Sequence, residues 1–230
     1  MKQRTAYETL PMLMLELERY FYFPSFIFHY IRSASKKFVF NGSEYSYFLN
    51  PYNRTWVNER AVEIPLALSL LTQHEPHKTL EVGNVLSHYK KSLHTIVDKY
   101  ERRKGVLNAD VVDMAEDPKY SLILCVSTLE HIGWDESPRQ PGKYRNALQK
   151  MSNLLEPGGQ MLVTVPIGYN SDLDRDLFSG SLIGKMDFLL RLSTTSWRQA
   201  SATEVVNCKY GSPYRAANAV AILTYTCPYP

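Results

Sequence analysis

The stretch 78–84 constrains this chain most, because it joins a short apolar strand to an acid and a glycine. Residues Thr79-Leu80-Glu81-Val82 read as a strand, and Gly83 follows directly. A second strand, 95–97, ends in Asp98, fifteen residues after Gly83. In nucleotide-binding α/β sheets the glycine turn lets the backbone approach a ligand, and the second acid takes ribose hydroxyls. The pattern therefore predicts a sheet with a nucleotide-type site at its carboxyl edge.

The same alternation continues along the chain. A third short run, 106–108, precedes Asp110, and a fourth, 121–126, leads to Leu129-Glu130-His131. A fifth strand, 160–165, follows a Pro-Gly-Gly turn. Apolar spacing predicts a helix over 143–155 and a shorter one over 85–91. Strands separated by helices predict parallel pairing with right-handed crossovers.

The flanking segments are less regular. Ahead of the sheet we expect one or two helices over 1–35, a strand and tight turn over 38–42, and an aromatic loop over 45–56. A helix over 57–73 follows, with a break at Pro65 because proline lacks a donor and clashes with the preceding turn. Beyond the fifth strand we expect a short helix over 188–192, followed by strands over 203–209 and 219–226.

The order of these motifs over 78–165 resembles the class I S-adenosylmethionine-dependent methyltransferases. The resemblance implies an α/β fold with a Rossmann-like, seven-stranded, mostly parallel sheet and helices on both faces. It also implies an N-terminal helical and aromatic extension over 1–59 and one methyltransferase domain over 60–230. The family usually has three glycines at alternate positions after the first acid, whereas Val85 and Ser87 occupy the second and third positions here.

The resemblance places the cofactor, S-adenosylmethionine, at the strand ends. Asp98 would accept hydrogen bonds from the ribose diol, since charge-assisted bonds are the strong ones; its alternative role is a surface ion pair with Lys99 or Arg102. Asp110 would face the adenine amino group, with the backbone of Val111 beside the ring. The expected cofactor-binding residues are Glu81, Gly83, Asn84, Asp98, Lys99, Asp110, Val111 and Ser127.

The segment after the fourth strand carries the candidate catalytic groups. A histidine titrates near pH 6.5, so His131 could take a proton from a substrate hydroxyl. Glu130 or Asp135 could orient it or act directly. The alternative is that Leu-Glu-His only shapes the cofactor pocket. The expected substrate-binding residues are Trp56, Arg60, Trp134, Tyr169 and Asn170, with Arg60 also a candidate partner for the methionine carboxylate.

The composition indicates which classes of partner and ligand to expect. With 26 basic and 23 acidic residues the chain is too balanced to imply nucleic acid as an obligate partner. Neither the three cysteines nor the six histidines have metal-ligand spacing, so we expect no metal and a reducing, cytoplasmic setting. The apolar run 20–31 falls short of the roughly 20 residues that span a bilayer, so we expect no stable membrane insertion. A homodimer is possible.

The reaction implied is direct methyl transfer to a hydroxyl of a small molecule or glycan. The 16 tyrosines suit a sugar or aromatic acceptor, and a nitrogen acceptor stays open. A second hypothesis is a non-catalytic binding or scaffold protein of the same fold that has lost the cofactor. The joint presence of Glu81, Asp98 and Asp110 argues against it. A third hypothesis, a nicotinamide-dependent oxidoreductase, is disfavoured because a pyrophosphate needs a glycine-lined turn.

Overall fold

The computed structural model of the protein describes Pro24, residues 26–28 and 30–31, and residues 35–230. Most of the helical segment expected over 1–35 therefore lies outside the described residues. The strands are β1 Lys37–Phe40, β2 Ser43–Ser46, β3 Thr79–Val82, β4 Thr95–Val97, β5 Tyr120–Val126, β6 Leu155–Pro166, β7 Lys185–Ser193, β8 Ser196–Ala200 and β9 Ala219–Thr226. The α-helices are α1 Arg60–Leu71, α2 Lys143–Asn153, α3 Ser171–Ser179 and α4 Ala202–Val205.

Seven strands form one sheet in the order β4-β3-β5-β6-β9-β7-β8. Neighbours from β4 to β6 pair in parallel, and the remaining pairs are antiparallel. Since β9 and β8 alone run against the other strands of this sheet, it is mostly parallel. The predicted Rossmann-like, seven-stranded α/β fold is confirmed. The strand expected over 219–226 is β9, which is antiparallel to both of its neighbours.

Helices cover both faces of the sheet, and β5 shows why. Its residues Ile123 and Cys125 point into one core with α2, α3 and α4, whereas Leu122 and Leu124 point into a second core with α1. Successive side chains of a strand alternate between faces, so a strand covered on both sides reads as a continuous apolar run. Burial of each such side chain stabilises the fold by about 1.5–3 kcal/mol.

The second core also includes the segment ahead of α1. Strands β1 and β2 form an antiparallel hairpin, and Phe38 and Phe40 are buried beneath it. The amide of Trp197 on β8 donates to the Tyr47 hydroxyl at 2.9 Å. Residues 37–48 therefore pack against the large sheet. The boundary at residue 59 stays a prediction.

Pro65 lies inside α1 without breaking it, so the predicted break there is wrong. Helical geometry would direct a residue-65 amide to the carbonyl of Ala61, and proline has no N–H to give. The backbone N–H of Phe48 donates to that Ala61 carbonyl at 2.9 Å instead. A neighbouring segment thus satisfies the acceptor that the proline leaves open.

Two further assignments in the last third were wrong. The helix expected over 188–192 is strand β7, in which Leu189 faces the core opposite to Phe188. The strand expected over 203–209 begins instead with α4, because Ser201 and Glu204 form a reciprocal capping box at its start. Neither α3 nor β8 was predicted.

Three elements near the carboxyl edge of the sheet differ from those predicted from the sequence. The third strand, 106–108, is reduced to one parallel bridge between Val97 and Leu107. The helix expected over 85–91 is a single 3-10 turn, Leu86–His88. The aromatic stretch 45–56, expected as a loop, begins inside β2 and ends in the 3-10 segment Tyr52–Val57. Within the described ranges, no helix is both long and apolar enough to cross a membrane.

Candidate functional site

Among the described residues, two cavities open at the carboxyl edge of the parallel strands. The smaller, about 60 Å³, lies between the ends of β3 and β4 and the loops that carry Asp110 and Thr128. The larger, about 290 Å³, lies between the start of α1, the loop after β5 and the turn around Tyr169. His131 lines both cavities. The loop after β5 therefore joins them.

Gly83 forms the turn after β3 with a left-handed backbone, φ +84°. Its N–H donates to the carbonyl of Val97 at 2.8 Å. A Cβ on Gly83 would lie 2.7 Å from Cγ2 of Thr128, and closer still to the Thr128 hydroxyl. Glycine is thus required both for its conformation and for the close approach of the β5 loop.

The carboxylate of Glu81 accepts hydrogen bonds from the backbone of the residues that follow this turn. Its side chain is fully buried, and Oε1 accepts the N–H groups of Val85 and Leu86 at 2.8 and 2.7 Å. Oε2 lies 2.7 Å from Nε2 of His94, which is also buried. Both carboxylate oxygens are engaged, and Glu81 lines neither cavity. It therefore positions the turn.

Asp98 lines the smaller cavity, and its carboxylate is held by backbone donors. Oδ1 accepts the N–H groups of Tyr100 and Glu101, each at 2.8 Å. Oδ2 accepts the N–H of Asn84 at 3.2 Å. Because each carboxylate oxygen can accept two bonds, Oδ2 keeps capacity for a ligand donor. The Asn84 side-chain nitrogen is buried and has no hydrogen-bond partner in the described part of the chain.

Lys99, Asp110 and Glu136 line the smaller cavity, and Lys143 pairs with both of these carboxylates. The ammonium of Lys99 lies 3.0 Å from Asp110 and 2.8 Å from Glu136, and that of Lys143 lies 2.6 and 2.9 Å from the same carboxylates. Burial opposes ionisation of Asp110, but the lysine hydrogen bonds outweigh it and hold the pKa of this carboxyl below its usual value. The same balance lowers the pKa of Glu136. Val111 is buried beside this cluster.

His131 belongs to a hydrogen-bonded group at the junction of the cavities. Its Nδ1 lies 2.6 Å from Oδ2 of Asp135, and the Tyr169 hydroxyl donates to the same oxygen at 2.8 Å. The Tyr169 ring packs edge-on against the imidazole, with centroids 4.7 Å apart. Burial would raise the pKa of Asp135, but the bonds from His131 and Tyr169 lower it overall. Nε2 of His131 is 3.6 Å from Oε1 of Glu130.

Two carboxyl groups, Glu59 and Glu130, line the larger cavity, and a third, Glu63, contacts the lining residues Arg60 and Ser127. Glu63 is fully buried; it pairs with the Arg60 guanidinium at 2.7 Å and accepts the Ser127 hydroxyl at 2.6 Å. Glu130 is 1% exposed, and its Oε2 has no hydrogen-bond partner among the described residues. Burial, reinforced by Glu63, raises the pKa of Glu130 well above its usual value.

The expected substrate residues divide into two groups. Arg60 and Tyr169 line the larger cavity, with Arg60 engaged by Glu63. Trp56 and Trp134 line neither cavity; Trp56 is buried against Phe26, and the Trp134 ring stacks on an arginine. Asn170 caps α3 and donates to the carbonyl of Glu130 at 2.9 Å, so it supports the wall from behind.

Sequence reasoning missed several residues of the site. Glu63 had a signal, since it is an acid between the apolar residues Val62 and Ile64. Thr128 adjoins the recognised Leu-Glu-His segment, but nothing in the sequence shows that it faces Gly83. Tyr210 and Lys143 reach the site from distant parts of the chain, and only the folded structure brings them there. Within the described ranges no group of three or more His, Cys, Asp or Glu side chains could hold a metal ion.

No family model matches the chain, and no curated protein sequence matches it either. Several solved structures are similar in fold. The N-methyltransferase NodS from Bradyrhizobium japonicum WM9 is 14% identical with a TM-score of 0.42, covering 74% of this chain and 97% of that one. A methyltransferase from Thermotoga maritima, described as a possible histamine N-methyltransferase, is 14% identical with a TM-score of 0.46, covering 78% and 96%.

Proposed function

We propose that this protein is an S-adenosylmethionine-dependent methyltransferase that acts on a hydroxyl group of a small-molecule or glycan acceptor. The observation that carries the proposal is the pair of cavities at the carboxyl edge of the sheet, joined at His131. Ligands of open α/β sheets bind at this edge. The smaller cavity lies beside Gly83, Asp98 and Asp110, and the larger one has room for an acceptor.

The residues of the smaller cavity fit the nucleoside part of the cofactor. Val82, Val97 and Val111 offer an apolar surface to a base, and Asp98 keeps an open acceptor for a ribose hydroxyl. The unpartnered Glu130 oxygen in the larger cavity is a further polar group for the acceptor or cofactor. When bound, the cofactor supplies a methyl group that is already activated on a sulfonium. The chain therefore has to orient two ligands and accept one proton.

His131 is the proposed base. Asp135 accepts from Nδ1–H, which selects the tautomer whose Nε2 can take the proton of an acceptor hydroxyl. Tyr169 donates to the same Asp135 oxygen and so restrains the carboxylate that holds the imidazole. The rings of Tyr169 and Tyr210 pack edge to face, with centroids 5.2 Å apart. Both line the larger cavity, which suits a sugar or phenol ring.

A binding protein without the cofactor is the alternative, and one observation favours it. Thr128 occupies the space above Gly83, and Val85 and Ser87 stand where the resembled family has glycines. Such a turn leaves less room for a ligand than a glycine-lined one. Under this alternative the protein would bind neither S-adenosylmethionine nor its product.

The first test is calorimetric titration with S-adenosylmethionine and S-adenosylhomocysteine, with NADH as the negative ligand. We expect micromolar binding of the first two alone. Asp98→Ala should weaken it at least about tenfold, or about 1.4 kcal/mol, because a charged acceptor for the ribose is lost. Asp113→Ala is the matched control, since Asp113 is an exposed acid outside both cavities. Failure of both ligands to bind would favour the binding-protein alternative.

The second test follows an acceptor screen that begins with sugars and phenols. His131→Ala should lower turnover by about 10²–10⁴-fold while the affinity for S-adenosylhomocysteine changes little, because a base acts on the acceptor proton. His77→Ala is the control, since His77 is an exposed histidine paired with Glu75 outside the site. Full activity of His131→Ala would exclude the imidazole as the base.

A further inference from the structure

The walls of the larger cavity contain most of the left-handed backbone found outside glycine. Among the described residues other than glycine, five have a left-handed backbone, and four of the five line this cavity. The four are Asn53, Arg54, Ser127 and Ala216, with φ values of +54°, +45°, +38° and +68°. Such backbone is costly for a residue with a Cβ, and it clusters at functional sites, where the surrounding structure holds it in place. The cavity is therefore built to a defined geometry.

Buried polar side chains hold the loop that carries Arg215. Arg191, only 6% exposed, donates to the carbonyls of Arg215 and Val57, each at 2.8 Å, and both of these residues line the larger cavity. The buried amide of Asn218 donates to the carbonyl of Tyr214 at 2.9 Å. The backbone at residue 215 is thus fixed from the interior, as a preorganised binding site requires.

The carboxyl groups of the same cavity are buried. Glu59 and Glu130 line it but are only 8% and 1% exposed. Glu59 accepts the N–H of Ala217 at 3.0 Å. Glu63, which does not line the cavity, pairs with Arg60 at 2.7 Å. Glu130 has an oxygen without a partner among the described residues, and the hydroxyl of an acceptor would supply its missing donor.

Two arginines of the cavity are less buried than these carboxyls. Arg215 is exposed and Arg54 is half-buried. Within the described ranges the guanidinium of Arg215 forms no ion pair or hydrogen bond, whereas that of Arg60 is paired with Glu63. A guanidinium presents a planar fork of N–H donors that matches the oxygens of a carboxylate or a phosphate. The exposed edge of the cavity therefore favours an anion.

We propose that the acceptor carries an anionic group, a carboxylate or a phosphate, and that the guanidinium of Arg215 binds this group at the exposed edge of the larger cavity. Arg54 supplies a second positive charge on the same cavity. Tyr169 and Tyr210 offer their rings to the body of the acceptor. The inference rests on the proposed function and names its substrate class, a hydroxylated sugar or phenol with an acidic substituent.

The experiment compares ligands that differ in one group. Tyrosol, 4-hydroxyphenylacetate and 4-hydroxybenzylphosphonate share a phenol ring and carry a hydroxymethyl group, a carboxylate or a phosphonate. Glucose, glucuronate and glucose 6-phosphate form a second series on a sugar. Titration calorimetry of the protein without cofactor gives their dissociation constants. In at least one series we expect an anionic ligand to bind at least about fivefold more tightly than its neutral parent, or about 1 kcal/mol.

Variants assign this preference to Arg215. Arg215→Gln should reduce it to less than about twofold and leave the affinity for the neutral parent within about twofold. The variant should fold, because the interior binds residue 215 through its carbonyl. Should it fail to fold, Arg215→Lys, which lacks the planar fork, should still weaken the anionic ligand at least about threefold. Arg102→Gln is the matched control, because it removes the same charge from an exposed arginine outside both cavities.

The outcomes are distinct. Tighter binding of the carboxylate, or of the phosphonate or phosphate, identifies the acidic group of the acceptor. If neither series prefers an anion, if no anionic ligand binds at millimolar concentration, or if Arg215→Gln keeps the wild-type preference, the inference is overturned. Failure of S-adenosylmethionine to bind counts against the proposed function instead, since the preference for an anion is measured without the cofactor.

Discussion

Replacing Gly83 by alanine tests how the first turn is built. Gly83 has φ +84°, and a left-handed conformation costs an alanine about 1–2 kcal/mol. The new Cβ would also lie 2.7 and 2.9 Å from Cγ2 and Cβ of Thr128, and relieving such overpacking costs about 1–3 kcal/mol. We therefore expect Gly83→Ala to lower the free energy of unfolding by about 2–5 kcal/mol.

Guanidinium unfolding of the wild type and four variants separates the backbone contribution from the contribution of the Thr128 contact. Gly105→Ala is the control for the backbone, because Gly105 has φ +89° and nothing within 4 Å of its Cβ position. It should cost only about 1–2 kcal/mol. Thr128→Ala removes Oγ1 and Cγ2, the two nearest atoms that crowd Gly83, and keeps Cβ, so the double variant should recover about 1–2 kcal/mol relative to the sum of the single changes.

Two results would refute this account of the turn. If Gly83→Ala costs no more than Gly105→Ala, the contact with Thr128 is not tight. If the changes in the free energy of unfolding from the Gly83 and Thr128 substitutions add up in the double variant, the two residues are not coupled across the loops. Either result would mean that the turn has room for a side chain, and the contact between the β3 and β5 loops would no longer explain why glycine is needed.

Two further predictions concern charge. Lys143→Met leaves Asp110 and Glu136 with Lys99 as their remaining ammonium, so it should lower the free energy of unfolding at pH 7 by about 2 kcal/mol. Because both carboxyls have lowered pKa values, this loss should shrink as the pH falls through them in a pH series of unfolding curves. Burial raises the pKa of Asp174 from 3.8 to about 6, so the folded form binds this proton more tightly and loses stability as the pH rises between these values. Asp174→Asn should therefore match the wild type near pH 4 and be more stable above pH 6, and equal stabilities at all pH values would contradict this.

The strands in the parallel half of the sheet could be predicted because both of their faces are buried. Residues 122–126 are apolar without interruption, and in the structure they face two cores. The same property misled the assignment of 188–192, since a short apolar run fits a buried strand and a helix equally well. For α4 a signal was present, the Ser201 and Glu204 spacing of a capping box, but the β-branched residues around it favoured a strand.

The candidate site was partly predictable for a related reason. Gly83 and Asp98 directly follow strands, and His131 lies in the loop after β5, so all three must lie at one edge of a parallel sheet, and the structure places them there. The partners of these residues depend on tertiary packing. No local pattern shows that Asp110 meets Lys143, or that Glu81 turns into the core to meet His94.

The proline in α1 has a consequence for cooperativity. The amide of Phe48 donates to the Ala61 carbonyl, which has no helical donor because residue 65 is proline. The hairpin segment, residues 37–48, therefore completes the hydrogen bonding of the helix. The same helix begins with Arg60, which lines the larger cavity, and carries Glu63, which pairs with Arg60. Detachment of the hairpin segment and loosening of the cavity wall at Arg60 should then occur as one opening event. Hydrogen exchange at the Phe48 amide would report on both, and ligand in the cavity would slow it.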